Sequence, residues 1–169
     1  MTLAEIDSLA REQFVDALGF VYENSPWVAE RAWAHRPFSS FEDLYAAMAA
    51  EVERAGVEEQ VALLQAHPDL GARARMSDLS AGEQAGAGLD RLTAEELETL
   101  RAWNDEYRRR FGFPFLFAVK GATKHDILKA LEQRLEAPRD EEFREGLRQV
   151  YRIAWFRLEA LVEPEKGGR

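Results

Sequence analysis

The sequence predicts an all-α fold, a single-domain bundle of about seven to nine helices over residues 1–162, and three observations carry that expectation. Helix-start signatures recur, with Thr2/Glu5, Ser80/Glu83 and Thr93/Glu96 each setting a hydroxyl three residues ahead of a glutamate. Apolar residues between them repeat at helical spacing. Gly56 and Gly112 stand where such runs stop.

Each element follows from local chemistry. Thr2 and Glu5 open a helix that runs to about Leu18, and "SPWVAERAW" offers Ser25 as a cap with Pro26 at the first helical position. "SSFEDLYAAMAAEVERAG" begins on Ser39 or Ser40 and ends at Gly56, and "VEEQVALLQAH" follows. There the helix breaks: Pro68 pushes His67 out of the α region, and Gly71 can take backbone angles that other residues avoid. Ser80 with Glu83 predicts a short helix start inside the loosest internal stretch, "ARMSDLSAGEQAGAGLDRLT". Thr93 and Glu96 lead a long helix through Phe111, Thr123 caps another to about Leu135, and Asp140 starts the last, to about Val162. Only "FPFLFAV" suggests an extended run, and "EPEKGGR", residues 163–169, reads as a tail or linker.

Composition narrows the function. At 169 residues the chain is large enough to enclose a dry pocket. Its formal charge is -9 with a pI near 5.0, and its basic residues are scattered among acidic ones, so no nucleic-acid partner is expected. The absence of cysteine excludes disulfides, thiolate metal sites and cysteine nucleophiles, and fits a reducing cytoplasm. Neither a signal peptide nor an apolar run of membrane-spanning length is present, so no membrane association is expected. Three widely separated histidines, none at metal-ligand spacing, lead to no metal site.

Four features hold candidate chemistry, each with a plain alternative. His67 is either a helix-terminal ring complementing the dipole or a side chain facing a cavity. "SAGEQAGAGL" is either a capping box with small packing residues or a helix start that lets a ligand approach its backbone, with Glu83 and Gln84 as polar arms. "FGFPFLFAVKG" is either aromatic core or an extended run whose main-chain groups meet a flat polar ligand. In the last helix Phe143, Leu147, Val150, Ala154, Leu158 and Leu161 form an apolar stripe, and Arg157 projects inside it while Arg148 and Arg152 do not. A guanidinium aimed at the core requires an anion: an internal carboxylate such as Glu83 or Asp69, or an anionic substrate. Asn104 shares the apolar face of Leu97, Leu100, Tyr107 and Phe111, where a buried amide most often supports backbone.

"HPDLG" at 67–71, the pattern of Ser80, Glu83, Gln84, Ala87, Gly88 and Leu89, "NxxYxxxFGFPF" from Asn104 to Phe115, and "RL" at 157–158 together resemble the OHCU decarboxylases, short for 2-oxo-4-hydroxy-4-carboxy-5-ureidoimidazoline decarboxylase. The resemblance spans nearly the whole chain. It implies an all-helical homodimer that works without a cofactor and converts its ureidoimidazoline substrate to S-allantoin and CO2 during urate degradation. It implies His67 as the catalytic histidine, and Glu83, orienting the ureido group, and Arg157, balancing negative charge on the substrate, are expected to complete the catalytic set. By the same resemblance Pro68, Ser80, Glu83, Gln84, Arg157 and the run Phe115, Leu116, Phe117, Ala118 and Val119 bind substrate. The alternative is a non-catalytic ureide-binding or regulatory module that keeps the pocket.

Overall fold

The computed structural model describes residues 1–71 and 78–164. Among the described residues there are nine α-helices and two 3-10 turns, with no strand. No helix among them is long and apolar enough to cross a membrane. The chain gathers into two compact units, Met1–Ala66 with Tyr151–Arg169 and His67–Val150.

The first unit holds α1 (Leu3–Ser8), α2 (Arg11–Leu18), α3 (Trp27–Ala32), α4 (Phe41–Arg54) and α5 (Val57–Gln65). It also takes the end of the last helix, α9 (Arg139–Leu161), from Tyr151 onward. Its core is formed by Ile6, Phe14, Leu18, Val28, Leu44, Met48, Val52, Leu63, Leu64, Ala154 and Leu158, all buried. Trp155 meets the edges of Phe41 and Tyr45 at ring separations of 4.8 and 5.0 Å.

The helix expected from Thr2 to Leu18 is in fact two. Thr2 and Glu5 do form the capping box, but Leu9 and Ala10 are extended, and α2 restarts with the Gln13 side chain accepting the Ala10 N–H at 3.0 Å. Distant donors hold this break open. Trp33 Nε1 and Arg36 Nη1 both donate to the Leu9 carbonyl, and Arg36 also reaches the Asp7 carbonyl. Ser25 is displaced from its expected role as well: α3 starts at Trp27 after Pro26, and the Ser25 hydroxyl donates to the Glu23 carbonyl at 2.9 Å. The start of α4 on Ser40, which accepts the Asp43 N–H, is as expected.

The second unit holds α6 (Asp78–Gly86), α7 (Ala94–Phe111), α8 (Lys124–Arg134) and the first part of α9. The Thr93/Glu96 box opens α7, Gly112 ends it at φ +82°, and Thr123 caps α8. Leu100, Tyr107, Phe111, Phe113, Phe115, Ile127, Leu131, Leu147 and Val150 form the core. Of the stretch expected to be loosest, residues 78–86 are helix and 74–77 lie outside the described residues, as do residues 165–169 of the expected tail.

Gly71 is at φ +79°, and a Cβ built there would fall 2.6 Å from Leu100 Cδ2. Gly88 has a similar φ of +83° but open space around it. Gly71→Ala therefore combines left-handed strain with a core clash and should lower unfolding free energy by roughly 2–4 kcal/mol, against about 1–2 kcal/mol for Gly88→Ala. Urea midpoints of the two variants check this; equal losses would mean that Leu100 moves aside without cost.

Candidate active site

His67 lies where α5 gives out. Ala66 closes the helix with its N–H on the Ala62 carbonyl, and the Ala66 carbonyl accepts Asn24 Nδ2 at 3.3 Å from a residue that is itself left-handed at φ +45°. Pro68 prevents the helix from continuing through His67. The imidazole is buried, only 6% exposed.

The loop from His67 to Gly71 runs outside helix and strand, and side chains from two helices hold it. Arg108 Nη2 meets Asp69 Oδ1 at 2.8 Å. Asn104 Nδ2 donates to the Leu70 carbonyl at 2.9 Å, and the Gly71 N–H donates to Gln84 Oε1 at 2.8 Å. Asn104 thus has the backbone-supporting role expected of it.

Ser80, Glu83 and Gln84 belong to α6, but Ser80 is not its cap. The helix already includes Asp78, so Ser80 lies within it, with its side chain buried. The S-x-x-E pattern misleads because residues three apart are also neighbours on a helix already formed. Ser80 and Gln84, one turn apart, are both buried, and Glu83 is half-buried. Ala81, Gln84 and Ala85 of this stretch line a cavity of 390 Å³ together with Gly71, Leu89, Asp90, Leu92 and Leu97.

Residues 114–119 belong to neither helix nor strand. Phe115 lies 5.6 Å from Tyr107, edge to face, and stacks on half-buried Phe117 at 6.1 Å. Two of the main-chain groups thought available to a ligand have protein partners. Arg134 Nη1 donates to the Leu116 carbonyl at 2.6 Å, and the Ala118 N–H donates to Gln149 Oε1 at 2.9 Å.

Arg134 also spreads over the Phe115 ring at 4.5 Å and pairs through Nε with Glu142 at 2.7 Å. The same Glu142 oxygen accepts the Tyr107 hydroxyl at 2.6 Å. Burial first, then the hydrogen bond to this carboxylate, push the Tyr107 phenol well above its ordinary range, so it stays a donor. Sequence reasoning missed Arg134, Glu142 and Gln149. A signal existed: Glu142 and Gln149 are two turns apart, on the face adjoining the apolar stripe.

Arg157 is buried among the apolar residues of α9 as expected, while Arg148 and Arg152 are exposed. Its anion is Glu23, at 2.8 Å from Nη1, with both side chains no more than 5% exposed; the Phe20 carbonyl also accepts from Nη1 at 3.0 Å. Neither internal partner considered from the sequence fills this position in the described ion pairs, and Asp69 pairs with Arg108 instead. Helical periodicity gives the direction of a side chain but not the identity of what it meets. The available hint was Glu23 itself, an acid embedded in the aromatic run "FVYENSPW".

Residues 7–159 match the sequence profile of the OHCU decarboxylases. A relative from Halalkalicoccus jeotgali named 2-oxo-4-hydroxy-4-carboxy-5-ureidoimidazoline decarboxylase is 48% identical over 167 residues, 99% of this chain and 95% of its own. Among solved structures, (S)-allantoin synthase superposes with a TM-score of 0.78 at 34% identity, covering 96% of this chain and 54% of that one. An OHCU decarboxylase in the presence of (S)-allantoin gives 0.70 at 26% identity, over 83% of this chain and 94% of that one. By sequence and by fold, the chain belongs to the OHCU decarboxylase family.

Proposed function

We propose that this chain decarboxylates 2-oxo-4-hydroxy-4-carboxy-5-ureidoimidazoline to S-allantoin and CO2 in urate degradation, with His67 as general acid/base. The observation that carries the role of His67 is its setting: a buried imidazole at a helix break, on a loop held by Asp69, Leu70 and Gly71. Imidazole changes charge near neutrality, so one group can both take and return a proton there.

The reaction needs little beyond placement. As the bond to the carboxylate breaks, its electron pair enters the ring and the adjacent C=N pair moves onto nitrogen, which takes a proton. The resulting enol then loses its hydroxyl proton and gains one at the ureido-bearing carbon, leaving allantoin. Because the substrate supplies its own electron sink, a separate organic or metal sink is unnecessary. The protein must turn the carboxylate out of the ring plane and deliver the last proton to one face only.

His67 engages the hydroxyl or carboxylate and then acts as proton source. Pro68 and Ser80 line the pocket, Glu83 orients the ureido group, and Gln84 with the main chain of Phe115, Leu116, Phe117, Ala118 and Val119 reads the ring's donors and acceptors. The Arg134 and Gln149 bonds narrow that last role to main-chain groups other than the Leu116 carbonyl and Ala118 N–H. Phe115 and Phe117 keep water from the ring. Arg157 answers negative charge on the substrate; since Glu23 already offsets its charge, oriented hydrogen bonding contributes more than net field. The chain acts in the cytoplasm as a homodimer.

Product handedness tests this function, because the substrate also decays unaided to racemic allantoin. Circular dichroism during turnover should show S-allantoin in excess, formed faster than the blank. A racemic product at the blank rate would leave only a ureide-binding module.

A further inference from the structure

We propose that Asn104 and Arg108 of α7 are positioning residues for the reaction, acting on His67 through the loop that carries it without touching substrate. The inference rests on the acid/base role of His67 given above. A proton-transfer group loses effectiveness when displaced by a fraction of an ångström to one ångström, and an irregular loop does not by itself fix a side chain that closely. The required rigidity comes from α7. This helix of 18 residues is closed by the Thr93/Glu96 box at one end and left-handed Gly112 at the other, and it packs Leu100, Tyr107 and Phe111 into the core.

Asn104 and Arg108 are one turn apart on this rod, so they grip two consecutive residues of the loop. Asn104 takes the Leu70 carbonyl at 2.9 Å in a buried setting, and Arg108 takes the Asp69 carboxylate at 2.8 Å nearer solvent. Gln84 of α6 secures Gly71 on the next residue. The imidazole therefore hangs from a segment tied at three successive positions.

Asn104 itself argues for positioning over plain packing. Its Oδ1 is buried and, among the described residues, has no hydrogen-bond partner, a state that costs stability. An apolar side chain of similar volume would fill the space without that cost. What only the amide supplies is the N–H on the Leu70 carbonyl.

The test is a double-mutant cycle. Asn104→Leu should retain the helical spectrum and lower kcat about ten- to a hundredfold, with KM little changed. In a His67→Ala background the same substitution should leave the residual rate unaltered, because there is no longer an imidazole to misplace. Arg108→Met, at an exposed position that does not threaten folding, should lower kcat a few-fold, and Arg108→Lys should recover most of it. Full kcat in both Asn104→Leu and Arg108→Met overturns the proposal, as does an equal fractional loss with and without His67. If Asn104→Leu does not fold, the Arg108 pair decides alone, and an Arg108→Lys rate no better than Arg108→Met counts against positioning. Near-normal turnover in His67→Ala by itself is a different failure, removing the acid/base role and this inference with it.

Discussion

His67→Ala is expected to lower turnover by about a hundredfold or more, the usual contribution of a positioned acid/base group, while the helical circular dichroism spectrum is retained. The residual reaction should also lose its handedness. With the one-sided proton source gone, the enol is protonated from solvent or released, and allantoin drifts toward racemate. His67→Asn sharpens the experiment, since an amide keeps much of the imidazole's hydrogen bonding yet cannot cycle a proton between neutral and charged states. If the ring only satisfied its neighbours, Asn would restore rate and handedness together. If it moves protons, Asn should be as slow as Ala. Near-normal turnover in either variant would take His67 out of the chemistry.

How far the sequence foretells the molecule depends on where each determinant lies. Ser40, Thr93 and Thr123 were legible as helix starts because a cap is satisfied within three residues of itself. The ends of α5 and α7 were legible for the same reason: Pro68 and Gly112 dictate their own backbone geometry. The gap between Ser8 and Arg11 was not, since the donors that stabilise it come from Trp33 and Arg36, over twenty residues away. The cap assigned to Ser80 failed from the opposite weakness, a local pattern that fits the interior of a helix as well as its start.

The candidate site divides along the same line. His67 announced itself by an improbable local sequence, and Arg157 by breaking an apolar stripe. Their surroundings did not. That Asn104 would take Leu70, that Gln84 would accept from Gly71, and that Gln149 would already occupy Ala118 N–H are facts of three-dimensional register, the partners lying 34, 13 and 31 positions apart. The Tyr107–Glu142–Arg134 network was hidden for a further reason: each of those residues is unremarkable on its own helix, and only the shared carboxylate makes them one unit.

The buried pair Glu23–Arg157 gives the second large effect, and it separates stability from catalysis. Removing either partner leaves a charge in a site no more than 5% exposed, so Arg157→Met and Glu23→Leu should each cost about 3–5 kcal/mol of unfolding free energy. Removing both replaces the pair with apolar volume, and Glu23→Leu/Arg157→Met should recover most of the loss, as buried ion pairs often do when exchanged whole for hydrophobic residues. Urea unfolding measures this directly. Turnover should not follow stability. If Arg157 meets substrate, the double variant is folded and still slow, because the guanidinium is absent however well the cavity is filled. If instead Arg157 only neutralises Glu23, turnover returns along with stability, and the substrate-binding role falls. Glu23→Gln separates the partners further: it keeps a hydrogen-bond acceptor for Nη1 but leaves Arg157 as an unbalanced cation, so folding weakens while the surviving folded enzyme holds an anionic substrate at least as tightly as before. A weaker KM effect in Arg157→Met than in Glu23→Gln would reverse that order and place the substrate's anionic group elsewhere.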